Sequence, residues 1–181
     1  MERLLTFGCA NSLDNFIARR DHSVDWLMWS DQVAALTAEF WKTIDTVLMG
    51  RKTYEAAVRA GQTGGYSGVK TFVFSRTLQT VPSDTVTLVS DDVAAFVRGL
   101  KAERGKGICL MGGGELAQPL FEAGLVDQVG VNIHPILLGD GIPLFRPMQR
   151  QLHLELKEHR VLKNGCVYLL YAVRYDAAGG N

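Results

Sequence analysis

Apolar runs of strand length alternate with stretches of helical periodicity along most of the chain. "LLTFGCA" (Leu4 to Ala10) predicts a first strand, followed by polar "NSLDN" and a short apolar "FIA". From Asp31 to Lys42, Val33, Leu36 and Phe40, with Ile44 beyond, recur at helical spacing, and Ser30 or Asp31 is placed to cap the first turn. "DTVLMG" predicts a strand ending at Gly50, and "RKTYEAAVRAG" a helix closing near Gly61. "QTGGYSG" reads as a loop, then "KTFVFS" and "TVTLV" (Thr85 to Val89) as two further strands. "SDDVAAFVRGLKAERG" is the clearest helix, with Val93, Phe96, Val97 and Leu100 on one face, acid at its start and base near its end.

"GICLM" predicts another strand, running through three glycines straight into a helix. "DQVGVNIHP" follows as a strand with Val129, Val131 and Ile133 on one face. "QLHLELKEHRVL" and "CVYLLYAVRY" alternate apolar and polar residues on either side of Lys163-Asn164-Gly165, a hairpin signature. Strand–helix alternation ending in a hairpin predicts an α/β fold: a mostly parallel central sheet, helices on both faces and an antiparallel C-terminal hairpin. Residues 1–175 read as a single domain and residues 176–181, "DAAGGN", as a disordered tail.

Composition narrows the function. Lys plus Arg and Asp plus Glu number 19 each, so zero net charge gives no electrostatic case for nucleic acid or an anionic membrane. No apolar run has the length of a membrane span and the start lacks the pattern of a signal peptide, so the expected location is cytoplasmic. Cys9, Cys109 and Cys166 are scattered and odd in number, and His22, His134, His153 and His159 lack ligand spacing. Reduced core thiols and no metal are expected.

In parallel sheets ligands bind beyond the carboxyl ends of the strands, and three such ends here carry suggestive chemistry. They are "LMGRKT" (Gly50, Arg51, Lys52, Thr53), "VFSRT" (Ser75, Arg76, Thr77) and "LMGGGEL" (Gly112, Gly113, Gly114, Glu115, Leu116). Each has a plain reading as a helix start or a turn. Together they suit a dinucleotide, because guanidinium forks and unpaired helix N–H groups bind phosphate. A third possibility, an α/β scaffold with no cofactor, leaves the coincidence of three strand ends unexplained.

"DTVLMGRKTYE", "VFSRTL", "CLMGGGEL" and "HPILLGDGIPLF" resemble the dihydrofolate reductase-like superfamily, and more closely the reductase domain of riboflavin biosynthesis and its stand-alone relatives, from Leu4 to Tyr175. The resemblance implies a dihydrofolate reductase-like three-layer sandwich and NADPH as cofactor. It places the cofactor phosphates at Gly50 to Thr53, the adenosine ribose and its 2′-phosphate at Ser75 and Arg76, and the pyrophosphate at Gly112 to Leu116. Ala10 and Ile17 fall where relatives line the nicotinamide pocket, with Asp14 in the connecting loop. The residues agree on NADPH over NADH, since "GRKT" and "SRT" contain no acid to hold a free ribose diol.

The substrate side is less defined. Asp31 is either a proton relay or only a helix cap, and it stands about one helical turn earlier than the family's carboxylate. Phe40 is pocket wall or core, while Trp26, Met28 and Trp29 either stack on a flat heterocycle or cover the core. His134 either touches substrate or is structural. Two departures stand out. The H-x-E…P-C-x-x-C pattern of the zinc deaminase half of the bifunctional riboflavin enzyme is absent, and Asn15 replaces the glycine of "D-G-F/Y-I-A". Asn tolerates the left-handed backbone that turn needs.

The resulting expectation is an NADPH-dependent reductase passing hydride to a small pteridine-like, ribosylaminopyrimidine-like or carbonyl acceptor. The alternative is a non-catalytic NADPH-binding or regulatory protein. An apolar strand near a sheet edge needs covering, so a homodimer is expected.

Overall fold

The computed structural model describes residues 3–61, 68–81 and 84–175; the tail and most of the "QTGGYSG" loop lie outside the described residues. The first strand, β1 (Leu5–Ser12), runs two residues beyond its predicted end and turns through Asn15 into β2 (Phe16–Ala18). Asn15 has φ 64°, the left-handed turn expected where relatives carry glycine. Helix α1 (Asp31–Thr43) is capped by the Ser30 side chain, which accepts the Val33 N–H. It passes without a loop into β3 (Ile44–Gly50), whose Gly50 opens α2 (Arg51–Arg59).

Strands β4 (Lys70–Phe74) and β5 (Val86–Val89) precede α3 (Val93–Ala102), which Asp92 caps through the Ala95 N–H. Strand β6 (Gly107–Met111) leads through the glycines into α4 (Gly114–Glu122). Then follow β7 (Gln128–His134), the two-residue β8 (Ile142–Pro143), β9 (His153–Val161) and β10 (Val167–Arg174).

Eight strands form one sheet in the order β5-β4-β3-β6-β1-β7-β10-β9, and β2 pairs with β8 separately. β1, β3, β4, β5, β6 and β7 are parallel, while β10 is antiparallel to both β7 and β9. Alternation within β3 shows why helices cover both faces. Leu48 packs with Phe7, Leu110 and the α3 and α4 residues Val97, Leu120 and Phe121; Val47 and Met49 face Tyr54 of α2 and Phe40 and Trp41 of α1. Burying both faces makes β3 and β6 the near-continuous apolar runs seen in the sequence. This is the three-layer α/β sandwich expected from the sequence, a mostly parallel sheet with an antiparallel C-terminal hairpin and helices on both faces.

At the amino ends of the strands the charges satisfy one another. Arg3, 3 % exposed, donates to Asp45, to Thr46 Oγ1 at 2.7 Å and to the Lys106 carbonyl at 2.8 Å. Lys101 pairs with Asp127 at 2.5 Å, and Asp127 in turn accepts the Leu5 N–H at 2.6 Å. The carboxyl ends are arranged differently.

Candidate functional site

A cavity of about 1160 Å³ runs along the carboxyl ends of the strands. Every residue predicted for the cofactor lines it: Ala10 and Ile17 at one side, Gly50 to Thr53, then Ser75 and Arg76, and Gly112 to Leu116. The parallel register produces this, because β3, β4, β6 and β1 all end on the same side of the sheet.

Two of the three helix starts facing this space, those of α2 and α4, lack a side-chain cap. α2 begins at Gly50 and α4 at Gly113, and neither cap residue supplies a hydrogen-bonding side chain, whereas Ser30 and Asp92 do so for α1 and α3. Their first N–H groups therefore carry the helix dipole's positive end into the cavity. Gly112 and Gly113 have φ of 62° and 83°, and a Cβ on either would meet only Thr53 Oγ1, at 3.9 and 3.7 Å. Gly114 differs: its Cβ would strike the Leu144 carbonyl at 2.9 Å, so this third glycine serves chain packing.

Five Lys and Arg side chains line the cavity. Arg51 pairs with Glu55 at 2.8 Å, Arg146 with Glu115 at 2.5 Å, and Arg20 with Asp140. Lys52 and Arg76 have no ion pair among the described residues. Ser75 Oγ accepts the N–H groups of Thr77 and Leu78, which fixes the turn that carries Arg76.

The acids of the cavity are Asp91, Asp92 and Glu115. Asp92 is engaged as the α3 cap and Glu115 with Arg146. The "GRKT" and "SRT" motifs are free of acid, but folding brings Asp91 to the same wall, a residue the sequence reading did not assign. The strand-end rule could have found it, since "SDD" directly follows β5.

The substrate-side residues are not brought to this cavity. Asp31 is the exposed first residue of α1, and neither it nor Trp26, Trp29 or Phe40 lines the space. Phe40 packs in the core with Trp41 and Val47, Trp26 is buried, and Trp29 is 71 % exposed. Val24 and Leu27, from the same segment, line the cavity instead. Asp14 ties the loops around it together: its carboxylate accepts the Ser12 hydroxyl at 2.6 Å and the N–H groups of Leu138 at 3.1 Å and Gly139 at 2.7 Å. These bonds hold its carboxyl below the usual carboxylate range.

Cys9 also lines the cavity, and burial pushes its thiol far above the ordinary range, so it stays neutral and a poor nucleophile. Among the described residues no cluster of His, Cys, Asp and Glu could hold a metal, and no helix is long and apolar enough to cross a membrane.

A family model described as the RibD C-terminal domain matches residues 3–168. The uncharacterized protein YwjB of Bacillus subtilis (strain 168) is 33% identical over 158 residues, covering 87% of this chain and 91% of that one. A solved structure from Shewanella sp. PV-4, provisionally named a riboflavin biosynthesis protein, superposes with TM-score 0.83 at 26% identity, covering 97% of this chain and all of that one (100%). The diaminohydroxyphosphoribosylaminopyrimidine deaminase/5-amino-6-(5-phosphoribosylamino)uracil reductase of Thermotoga maritima shares the fold, with TM-score 0.69 at 14% identity. That match covers 94% of this chain and 56% of that one.

Proposed function

The chain belongs to the RibD C-terminal domain family, within the dihydrofolate reductase-like superfamily, and from that premise we propose that it is an NADPH-dependent reductase. The observation that carries the reading is the meeting in one cavity of two uncapped helix N-termini and the Arg76 guanidinium, which has no ion pair among the described residues. The α2 and α4 N–H groups suit the cofactor's phosphates, and Gly112 and Gly113 leave room for a pyrophosphate against the main chain. Arg76, unlike Arg51, is free to meet a 2′-phosphate.

The bound cofactor supplies the hydride. The chain's own residues orient it: Ala10 and Ile17 give an apolar seat for the nicotinamide, and Val24 and Leu27 keep water from that side. Asp31, outside the cavity, is not assigned the proton; water entering the site delivers it. The acceptor is a small heterocycle of the pteridine or ribosylaminopyrimidine class, or a carbonyl compound.

The protein acts as a homodimer in this reading. The edge strand β9 leaves Leu154, Leu156 and Val161 at 44, 49 and 75 % exposure, apolar side chains set among charged ones that a second copy would cover.

The enzyme reading is tested by following NADPH oxidation against a panel of pteridines, ribosylaminopyrimidines and carbonyl compounds. Turnover of one class that is lost in Gly113→Ala supports it. NADPH binding without turnover of any acceptor supports the non-catalytic, regulatory alternative.

A further inference from the structure

His134 ends β7 at 2 % exposure, in register with Ser12 of β1. Its Nδ1 accepts the Met28 backbone N–H at 3.2 Å, and Cys166 Sγ lies 3.5 Å from the same nitrogen. Its Nε2 lies 3.4 Å from the Asn132 carboxamide nitrogen, while Asn132 Oδ1 is buried without a partner. Because Nδ1 accepts the Met28 N–H, the neutral ring carries its proton on Nε2, and half a turn of the Asn132 carboxamide would give that proton Oδ1 as its acceptor. Trp26 stands edge-on to the ring, with centroids 5.3 Å apart and planes at 89°.

Met28 belongs to residues 24–29, a segment without helix or strand. Leu27, Met28 and Trp29 are exposed, and the backbone bonds recorded within the segment come down to Leu27 N–H to the Val24 carbonyl. Two long-range bonds hold Met28: its N–H to His134, and its carbonyl to Asn164 Nδ2 at 3.2 Å. Yet Val24 and Leu27 form part of the cavity wall.

We propose that His134 is a positioning residue whose unprotonated Nδ1 holds the Met28 amide and thereby sets Val24 and Leu27 against the cavity. A proton on Nδ1 would place two donors face to face, and the segment must then turn away. The groups against the ring are the Met28 amide and Trp26 from this segment, the Cys166 thiol beside the hairpin turn, and Asn132 on its own strand. Burial pushes the Cys166 thiol up, so it stays neutral, and the Asp14 carboxylate is taken up by the Ser12 hydroxyl and the Leu138 and Gly139 amides. Burial also lowers the ring's own pKa, so the neutral form prevails at neutral pH and release comes as the pH falls below the ordinary histidine value of about 6.5. The link to the cavity wall rests on the NADPH reading above, but the contact itself does not.

Hydrogen exchange at Met28, corrected for intrinsic rate, tests the contact without any cofactor. As the pH falls from about 7.5 to well below the ordinary histidine value of about 6.5, wild-type protection of the Met28 amide should fall at least about tenfold while β6 stays protected. At neutral pH, His134→Asn, which puts an acceptor near the place of Nδ1, should keep that protection, and His134→Gln, which reaches toward Nε2, should lose it. Wild-type protection that is flat with pH, or equal protection in all three proteins, overturns the proposal. NADPH titration of the same proteins tests the link to the cavity: weaker binding in His134→Gln restored in His134→Asn supports it, and equal binding by all three removes it. Absence of NADPH binding by the wild type overturns the cofactor reading and leaves the exchange result to decide the role of His134.

Discussion

Thr53 Oγ1, on the first turn of α2, lies 3.7 Å from the point where a Cβ on Gly113 would stand, just ahead of α4. Two helix starts that are 60 residues apart in sequence thus face each other across a gap. A methyl group at Gly113 enters that gap and forces an L-residue to φ 83°.

Gly113→Ala should therefore lower stability by about 1–2 kcal/mol, the cost of one residue held in the left-handed region. It should also weaken NADPH binding by about tenfold or more, because the methyl occupies the phosphate approach. Thermal unfolding and calorimetric titration of the purified variant check both. Loss of stability with unchanged affinity would mean that the glycines serve only the turn.

Asp14 makes an acid-sensitive clamp. Its carboxyl is held below the usual range, first by the Ser12 hydroxyl and then by the Gly139 and Leu138 amides. The sign follows from linkage: a lowered folded value stabilises the fold above the unfolded carboxylate range of about 4, and that stabilisation is lost as pH falls through the folded value. Asp14→Asn should be less stable than wild type at neutral pH, with the difference closing in acid. Denaturation midpoints across pH measure this, and a difference constant with pH would contradict it.

Arg3 is nearly fully buried among Asp45, Thr46 and the Leu100 and Lys106 carbonyls. Arg3→Met strands those acceptors and should cost about 3 kcal/mol. Arg3 stands at the opposite end of the sheet from the cavity, so NADPH affinity of the folded fraction should be unchanged. Chemical denaturation and titration together separate the two effects.

Leu156 lies opposite Tyr171 on β10 and Leu154 opposite Val173, yet both leucines remain exposed. Wild type should scatter light as a homodimer, and Leu156→Lys should shift it to a monomer. A monomeric wild type would contradict the proposed pairing.

Much of this site was legible because it depends on local rules. "GRKT", "SRT" and "GGGEL" each follow an apolar run, and parallel pairing carries all such strand ends to one side. Asp91 follows the same rule, but a carboxylate is not a phosphate-binding group, so strand-end chemistry alone does not mark it. What the sequence does not disclose is set by distant partners. The two-residue β8 exists only because it meets β2, and His134 meets Met28 across 106 residues. Asp31 satisfies helix-start chemistry, yet the orientation of α1 leaves it in solvent rather than at the cavity. No periodicity reports that orientation. The same limit applied to Trp26: its burial against His134 depends on a loop path that apolar patterning does not encode.

The central claim is that the strand-end cavity binds NADPH through Arg76 and the two helix starts. Calorimetric titration of NADPH and NADH into wild type, Arg76→Ala and Arg51→Ala tests it most directly. Wild type should prefer NADPH by at least about tenfold, about 1.4 kcal/mol, and Arg76→Ala should erase that preference. Arg51→Ala should retain most of it, since Arg51 is already paired with Glu55. Failure of wild type to bind either dinucleotide, or a preference for NADH through Asp91, would contradict the account.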